Sequence, residues 1–327
     1  MSTVEKKNHW IGLDLGGTKM LATVYDADFK PLGRKRRRTK GTEGAESVTS
    51  RIVRTIGDAI EDSKVEPEQI VGIGVGIPGP VDQEKGIVLE AVNLNWDNVP
   101  LVKLLRSELN RPVVLLNDVD AGVYGEYRFG AAKSARTALG IFPGTGIGGG
   151  CVYDGQIIRG KRNSCMEIGH ICVTPNGQLC GCGLRGCLET EASRLAIAAE
   201  VAKAAYRGEA PTILNEAGTT LADIRSGVLA DAIAAGDKAV QRIVQRAARV
   251  LGIAVASSVH MLCPDIIVLG GGLVEAMPEL YVEAVSSAAR KAVMPSFVDT
   301  FKVVAAKLGD DAGVLGCAAW AEKTFAD

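Results

Sequence analysis

The sequence lacks any uncharged apolar run long enough to cross a bilayer, and no apolar segment follows the charged residues at its start. Neither a membrane-spanning helix nor a secretory leader is therefore predicted. The chain also lacks an excess of charge, because 37 basic and 38 acidic residues give a formal net charge of −1. This balance excludes a general attraction to nucleic acid or anionic lipid. We expect a cytoplasmic protein with no nucleic-acid or membrane partner.

Two common nucleotide-binding motifs are missing as well. No GxxxxGK(S/T) sequence occurs, and Gly16-Gly17 leads into a strand pattern rather than a helix, which disfavours a dinucleotide-binding fingerprint. The 327 residues, of which 47% are apolar and 23% charged, are enough for two domains with their own cores. No low-complexity linker separates them.

Metal-binding side chains are present, and four of them fall in one segment: His170, Cys180, Cys182 and Cys187. Glycines between the cysteines let the chain turn sharply, so that one imidazole and three thiolates can converge on a tetrahedral ion. We predict a structural zinc site. The remaining cysteines show no disulfide-framework spacing and are expected to be ordinary thiols.

Two glycine-rich segments resemble each other. Residues 11–26 align without a gap on residues 139–154, and identical residues stand at Gly12, Gly16 and the three positions Val24 to Asp26. Each segment has the pattern of a strand, a glycine-rich turn and a second strand, which predicts a repeated hairpin. Chance recurrence of glycine turns is the alternative.

The rest of the chain alternates between strand and helix patterns, which indicates an α/β fold. Strands are predicted near residues 71–77, 113–116, 266–269 and 303–306. Asp237 is expected to cap a long helix, and further helices are predicted over Glu191–Tyr206 and Ala312–Lys323. The basic run Arg34–Lys40 suits phosphate binding or a solvated edge strand, and we favour the edge strand.

Glycine-rich turns after strands expose backbone N–H groups to a phosphate oxygen. Three such loops together indicate a nucleotide cleft, although a structural turn would explain any one of them. In the first loop Thr18 supplies a hydroxyl, Lys19 a positive charge and Asp14 a carboxylate suited to Mg²⁺ held mostly through water. The predicted nucleotide-binding residues are Asp14, Gly16, Gly17, Thr18, Lys19, Gly144, Thr145, Gly146, Gly271 and Gly272.

Asp118 is the candidate general base, because it follows the buried strand 113–116 at the point where α/β proteins place reacting groups. A cap at the start of the next helix is the alternative role. The zinc segment adds Glu167, His170 and Glu189, whose side chains suit sugar hydroxyls. A solvated zinc loop without ligand contacts is the alternative there.

Taken together, these motifs resemble the ROK family of repressors, open reading frames and kinases, within the actin-like, hexokinase-type ATPase superfamily. The resemblance spans nearly the whole chain. It rests on Asp14 to Lys19, Gly76 to Pro80, Asn93 to Trp96, Asn117-Asp118, Gly144 to Gly150, and Glu167 to His170 running into CGCGLRGCLE.

The resemblance implies a duplicated actin-like (ribonuclease H-like) α/β fold, with two domains flanking a cleft. One domain would comprise residues 1–117 with the C-terminal helix 311–327, and the other residues 118–310. It further implies a MgATP-dependent sugar kinase that closes on its substrate and forms a homodimer. Asp118 would be the base, zinc would bind His170 and the three cysteines, and the sugar ligands would be Gly79, Asn93, Asn117, Asp118, Glu167, His170 and Glu189.

The expected reaction transfers the γ-phosphoryl group of ATP to the 6-hydroxyl of glucose. N-acetylmannosamine, N-acetylglucosamine, fructose and allose are alternative acceptors. A sugar-responsive repressor is the alternative from another class, and we disfavour it because the first core strand is reached by Ile11. Two departures from the family pattern lie near the acceptor and bear on sugar identity: Asp120, where Asn is common, and Cys165-Met166 before Glu167.

Overall fold

A computed structural model describes residues 8–161 and 165–326, so the charged start of the chain, residues 1–7, lies outside it. The strands are β1 (His9–Leu15), β2 (Lys19–Tyr25), β3 (Pro31–Arg38), β4 (Ile70–Ile77), β5 (Val81–Asp82), β6 (Ile87–Ala91), β7 (Trp96–Val99), β8 (Val113–Asn117), β9 (Thr137–Pro143), β10 (Ile147–Tyr153), β11 (Gln156–Ile157), β12 (Ile266–Leu269) and β13 (Lys302–Ala305). The helices are α1 (Ala45–Ser63), α2 (Leu101–Leu109), α3 (Asp118–Phe129), α4 (Leu188–Ala192), α5 (Arg194–Tyr206), α6 (Pro211–Glu216), α7 (Ser226–Ala234), α8 (Lys238–Leu262), α9 (Gly271–Ala276), α10 (Pro278–Ala292) and α11 (Asp311–Phe325).

The chain divides into two compact units. The first contains residues 1–134, 156–165 and 310–327, and the second contains residues 135–155 and 166–309. The predicted boundary between residues 117 and 118 differs from this division, because α3 packs against α11 and so belongs to the first unit.

The chain forms two five-stranded sheets of the same topology. The strand order is β3-β2-β1-β4-β8 in one sheet and β11-β10-β9-β12-β13 in the other. Both begin with an antiparallel hairpin, β1 with β2 and β9 with β10, and add parallel strands beside its first member. The predicted repeated hairpin and the predicted α/β class are confirmed.

The C-terminal helix α11 lies against β1 and β4 at very short range. A Cβ atom on Gly12 would lie 1.8 Å from the carbonyl oxygen of Val314, and one on Gly74 would lie 1.9 Å from that of Cys317. Only glycine therefore permits this approach of helix and sheet backbones. The contact fixes α11 against the middle of β1 and β4.

The long helix α8 begins as predicted, with the Asp237 carboxylate accepting hydrogen bonds from the N–H groups of Ala239 and Val240, both at 3.1 Å. The single helix predicted over Glu191–Tyr206 is wrong in its first turn. Ser193 is extended and its hydroxyl accepts from the Ala196 N–H at 3.1 Å, so it ends α4 and caps α5.

The basic run forms the edge strand β3, as favoured from the sequence. Arg34 and Arg36 make ion pairs with Asp311 (2.7 Å) and Asp310 (2.8 Å). Charged side chains of this kind protect a sheet edge from pairing with another chain. Among the described residues, no helix is both long and apolar enough to cross a membrane.

Candidate active site

In the first unit, the predicted base Asp118 and the predicted nucleotide-binding residue Asp14 lie at the carboxyl ends of parallel strands. Asp14 lies near the end of β1 and Asp118 directly follows β8, and both of these strands pair with β4. The carboxyl ends of neighbouring parallel strands share one edge of the sheet, where α/β proteins bind their ligands. Topology therefore accounts for the proximity of two residues far apart in the sequence.

The start of α3 bears on the helix-cap role considered for Asp118. The Asn117 side chain accepts from the N–H groups of Val119 (2.9 Å) and Asp120 (3.1 Å) and is the N-cap. Asp118 is the first helical residue, and its Oδ1 also accepts from the Val119 N–H at 2.9 Å. Since Asn117 provides the cap, that role does not account for the Asp118 carboxyl.

The pKa of Asp118 suits a group that accepts a proton near neutral pH. Protein atoms surround its carboxyl although part of the residue reaches solvent, and this desolvation, with the negative charge of Asp14, raises its pKa to about 7. Burial likewise raises the pKa of Asp14 to about 6, against the opposing effect of Lys19. The charge that acts on Asp118 is thus that of Asp14, whereas the sequence had drawn attention to Asp120.

Three further predicted sugar ligands, Gly79, Asn93 and Asn117, lie in this unit. Asn117 Nδ2 donates to the carbonyl oxygen of Gly79 at 3.1 Å, which ties the loop after β4 to the end of β8. A Cβ atom on Gly17 would lie 3.4 Å from the Cβ of Asn93, so Asn93 is next to the first glycine loop. The structure therefore brings the predicted site residues of this unit together.

The first glycine loop has two partners that sequence patterns did not identify. Thr39 Oγ1 donates to the Gly16 carbonyl oxygen at 2.6 Å, and Asp310 accepts from Lys19 Nζ at 3.3 Å and from Arg36 at 2.8 Å. The only sequence signal for Asp310 is its place in an acidic pair before the last helix. A cavity of about 60 Å³ opens here, lined by Asp14, Gly16, Lys19, Leu21, Arg36 and Asp310.

In the second unit, two of the predicted phosphate loops meet at one sheet edge. β9 and β12 are parallel neighbours, so the loop Gly144–Gly146 after β9 and the turn into α9 after β12 are adjacent. A Cβ atom on Gly271, whose φ is +78°, would lie 2.9 Å from the Pro143 carbonyl oxygen. The Gly144 N–H closes its loop on the Gly146 carbonyl oxygen at 2.8 Å.

The predicted metal ligands converge. One ligand atom from each of His170, Cys180, Cys182 and Cys187 lies within 4.8 Å of all the others. The sulfurs of Cys182 and Cys187 are 3.7 Å apart, and Cys180 Sγ is 3.6 Å from His170 Nδ1. A tetrahedral ion with zinc–sulfur bonds of about 2.3 Å separates its ligand atoms by about 3.8 Å. The four residues therefore fit zinc.

Glu189 connects this cluster to the second phosphate loop. Its Oε2 accepts from the Ile147 N–H at 2.9 Å, and its Oε1 lies 3.9 Å from Cys180 Sγ. Cys187 is the N-cap of α4, which carries Glu189. Glu167 stands before the short helix Ile168–His170. Sequence reasoning assigned Glu189 to the sugar and did not anticipate its bond to the loop.

The paired five-stranded sheets, with acidic residues and glycine loops at the carboxyl ends of their strands, define an actin-like, hexokinase-type ATPase fold. A profile of the ROK family matches residues 10–324, and the chain belongs to the ROK family.

Similar proteins support this assignment. The chain is 37% identical over 310 residues to a glucokinase of Thermotoga maritima, an alignment that covers 94% of this chain and 95% of the relative. The chain is also similar to the crystal structure of a ROK family glucokinase from Streptomyces griseus in complex with glucose and AMPPNP, with 30% identity and a TM-score of 0.83. The match covers 97% of this chain and 100% of the other. The structure of the ROK hexokinase from Thermus thermophilus is 34% identical, with a TM-score of 0.81, and the match covers 97% of this chain and 98% of the other.

Proposed function

We propose that the protein is an ATP-dependent hexose kinase that phosphorylates the 6-hydroxyl of glucose. The observation that carries this proposal is Asp118, a desolvated carboxyl at a strand end whose pKa is raised to about 7 and whose neighbour Asn117 provides the helix cap. A carboxyl that titrates near the working pH is suited to general base catalysis. The glucokinase and hexokinase relatives support the same reaction.

In the proposed reaction, the sugar hydroxyl oxygen attacks the γ-phosphorus of ATP in line with the bond that breaks. The new oxygen–phosphorus bond forms as ADP leaves, and the hydroxyl proton passes to Asp118. The protein forms no covalent bond to the phosphoryl group in this reaction. Positioning of the reactants and stabilisation of charge therefore account for most of the catalysis. Asp118 is held for this role by the start of α3 and by its bond with the Val119 N–H.

We assign the sugar to two sets of side chains. The first set is Gly79, Asn93 and Asn117, in which Asn117 bonds to the Gly79 carbonyl oxygen and Asn93 lies next to Gly17. The second set is Glu167, His170 and Glu189, of which His170 belongs to the cysteine cluster and Glu189 lies beside it. Amide, carboxylate and imidazole groups pair with the donors and acceptors of hydroxyls, and a misplaced hydroxyl would leave one of them unpaired.

For the nucleotide, we assign the phosphates to the predicted glycine loops and a hydrated Mg²⁺ to Asp14. A cation favours the ionised form of a carboxyl, so it would offset the burial that raises the pKa of Asp14. When bound, Mg²⁺ neutralises charge on the phosphates. Thr18 and Lys19 flank the first loop, and Thr145 lies within the second.

We further propose that zinc at the four-residue cluster is structural. Metal ligation would fix the segment around Cys187 and thereby the first turn of α4, from which Glu189 projects to the Ile147 N–H. A cytoplasmic homodimer remains the expectation from the family.

The test is ADP release by the purified, zinc-loaded protein with MgATP and a panel of hexoses and N-acetylhexosamines, with Asp118→Ala as the control. Glucose-dependent turnover that is lost in the variant is the expected result. A preference for another sugar would keep the mechanism and change the acceptor. No turnover with any sugar would contradict the kinase and favour a sugar sensor.

A further inference from the structure

Arg194, the first residue of α5, holds the second phosphate loop at two points. Its backbone N–H donates to the Gly144 carbonyl oxygen at 2.8 Å, and its Nη2 donates to Thr145 Oγ1 at 2.9 Å. Nη1 lies 3.5 Å from the Ile224 carbonyl oxygen. One residue therefore fixes both the backbone and the hydroxyl of the loop that the proposed function assigns to ATP.

Helix stability does not account for an arginine at this position. The N-terminus of a helix carries a partial positive charge, so a cation in the first turn of α5 costs about 0.3–1 kcal/mol rather than stabilising it. The helix already has a cap, since the Ser193 hydroxyl accepts from the Ala196 N–H at 3.1 Å. Some other interaction must favour the arginine.

The charge of Arg194 is not neutralised within the described part of the chain, where no carboxylate lies within ion-pair distance of it. Arginines elsewhere in this unit are paired: Arg246 with Glu191 at 2.9 Å, and Arg207 with Glu209 at 3.0 Å. An uncompensated guanidinium beside an exposed glycine turn favours an anion there, because charge-assisted hydrogen bonds to phosphate are among the strongest in proteins.

Glu189 fixes the same turn from its other end. Its Oε2 accepts from the Ile147 N–H at 2.9 Å and would lie 2.3 Å from a Cβ atom on Gly146. The turn Gly144–Ile147 is thus bracketed by side chains from α4 and α5, which leaves little freedom in its backbone. A loop ordered before binding loses less entropy when it binds its ligand.

We infer that Arg194 is a positioning residue of the nucleotide site, which orients Thr145 and places a positive charge beside the ATP phosphates. This inference rests on the proposed function and adds a residue to the site of ATP, the phosphoryl donor. It requires that Arg194 act on the nucleotide and not on the sugar.

The experiment compares the wild-type protein with Arg194→Gln, Arg194→Lys and the control Arg207→Gln, which lies at the other end of α5. Calorimetry with the magnesium complex of AMPPNP gives the nucleotide Kd, and steady-state kinetics give separate KM values for ATP and glucose. Arg194→Gln should raise the nucleotide Kd roughly tenfold, the effect of losing one or two charge-assisted bonds. Arg194→Lys should recover part of it because the charge remains, and Arg207→Gln should match the wild type.

A purely structural role predicts a different result, with a lower unfolding midpoint and similar losses for both substrates. A nucleotide Kd within twofold of the wild type in folded Arg194→Gln, or a matched rise in the glucose KM, would overturn the inference alone. Absence of nucleotide binding by the wild-type protein would overturn the proposed function together with it. Combining Arg194→Gln with Thr145→Val should give less than the sum of the two effects, because the residues share one contact.

Discussion

Asp14 acts on Asp118: burial and, after it, the negative charge of Asp14 raise the pKa of Asp118 to about 7. Asp14 lies in β1 and Asp118 directly follows β8, the two strands that flank β4, and burial raises the pKa of Asp14 itself to about 6. The charge state of the residue assigned to Mg²⁺ therefore adds to the effect of burial on the proton affinity of the proposed base.

This relationship predicts the pH dependence of turnover. As the pH falls through about 7, kcat/KM for the sugar should fall by up to tenfold per pH unit, because protonated Asp118 cannot accept the hydroxyl proton. Saturating Mg²⁺ should move this fall to lower pH, since a cation at Asp14 offsets the charge that raises the pKa of Asp118. Initial rates from pH 5 to 9 at low and high Mg²⁺ would measure both effects.

Asp120→Asn is the matched control for that profile, because it removes a carboxylate two residues from Asp118 without touching Asp14. It should leave the midpoint of the profile in place. A profile that is flat down to pH 5 in the wild-type protein, or one that moves with Asp120→Asn, would contradict the coupling.

The same pKa predicts a stability effect. Between about pH 4 and pH 7 the native protein holds a proton on Asp118 that the unfolded chain has lost, so the free energy of unfolding contributed by this group falls as the pH rises. Asp118→Asn keeps an oxygen for the Val119 N–H and removes the ionisation. It should raise the free energy of unfolding by about 1–3 kcal/mol at pH 8 and much less at pH 4.5. Urea unfolding at both pH values measures the difference, and an equal effect at both would refute the assigned burial.

Local patterns in the sequence predicted a large part of the fold. Signals that act over a few positions, namely glycine turns, apolar periodicity and cap residues, were enough to predict several elements. These are the hairpins, the strands at 266–269 and 113–116, and the Asp237 cap. The metal cluster was also predictable, because its cysteines are close in sequence.

Contacts between distant segments were not predictable in this way. Asp310 pairs with Lys19 across 291 residues, and Arg194 reaches Thr145 across 49. The break at Ser193 was missed because the alanine-rich pattern continues through it, and one hydroxyl decides where the helix starts. The placement of α3 in the first unit depends on α11, whose contact with it is tertiary.

The zinc assignment predicts that metal analysis finds one zinc ion per chain. It also predicts that replacing a ligand residue lowers this zinc content. Cys182→Ser should lower the metal content, and it should lower the unfolding midpoint because ligand binding contributes to folding. It should also raise the KM for the sugar, since α4 and Glu189 follow the cluster. Cys172→Ser is the matched control, because Cys172 is an exposed thiol of the same segment outside the four-residue cluster. Full zinc content in Cys182→Ser would contradict the assigned ligand set.

The last prediction concerns Gly313, in the first turn of α11, which backs the Asp14 carboxyl. A Cβ atom on Gly313 would lie 3.0 Å from both Cγ and Oδ2 of Asp14, so Gly313→Ala must displace that carboxylate by a few tenths of an ångström. Because alanine favours a helix over glycine by about 0.5–1 kcal/mol, stability should change little or rise. Misplacement of a reacting or ligand-binding group is costly for catalysis, and kcat/KM for MgATP should fall roughly three- to tenfold, with a higher Mg²⁺ requirement.

Gly57→Ala in α1 is the control for Gly313→Ala, because the added methyl group there has no atom within 4 Å apart from its chain neighbours and the backbone of its own helix. It should stabilise the protein to a similar extent and leave the Mg²⁺ dependence of turnover unchanged. Equal Mg²⁺ dependence in both variants would mean that Asp14 either accommodates the methyl group or does not serve the metal. An Asp14→Asn variant measured alongside separates these cases, since only a residue that serves the metal changes the Mg²⁺ requirement when its charge is removed.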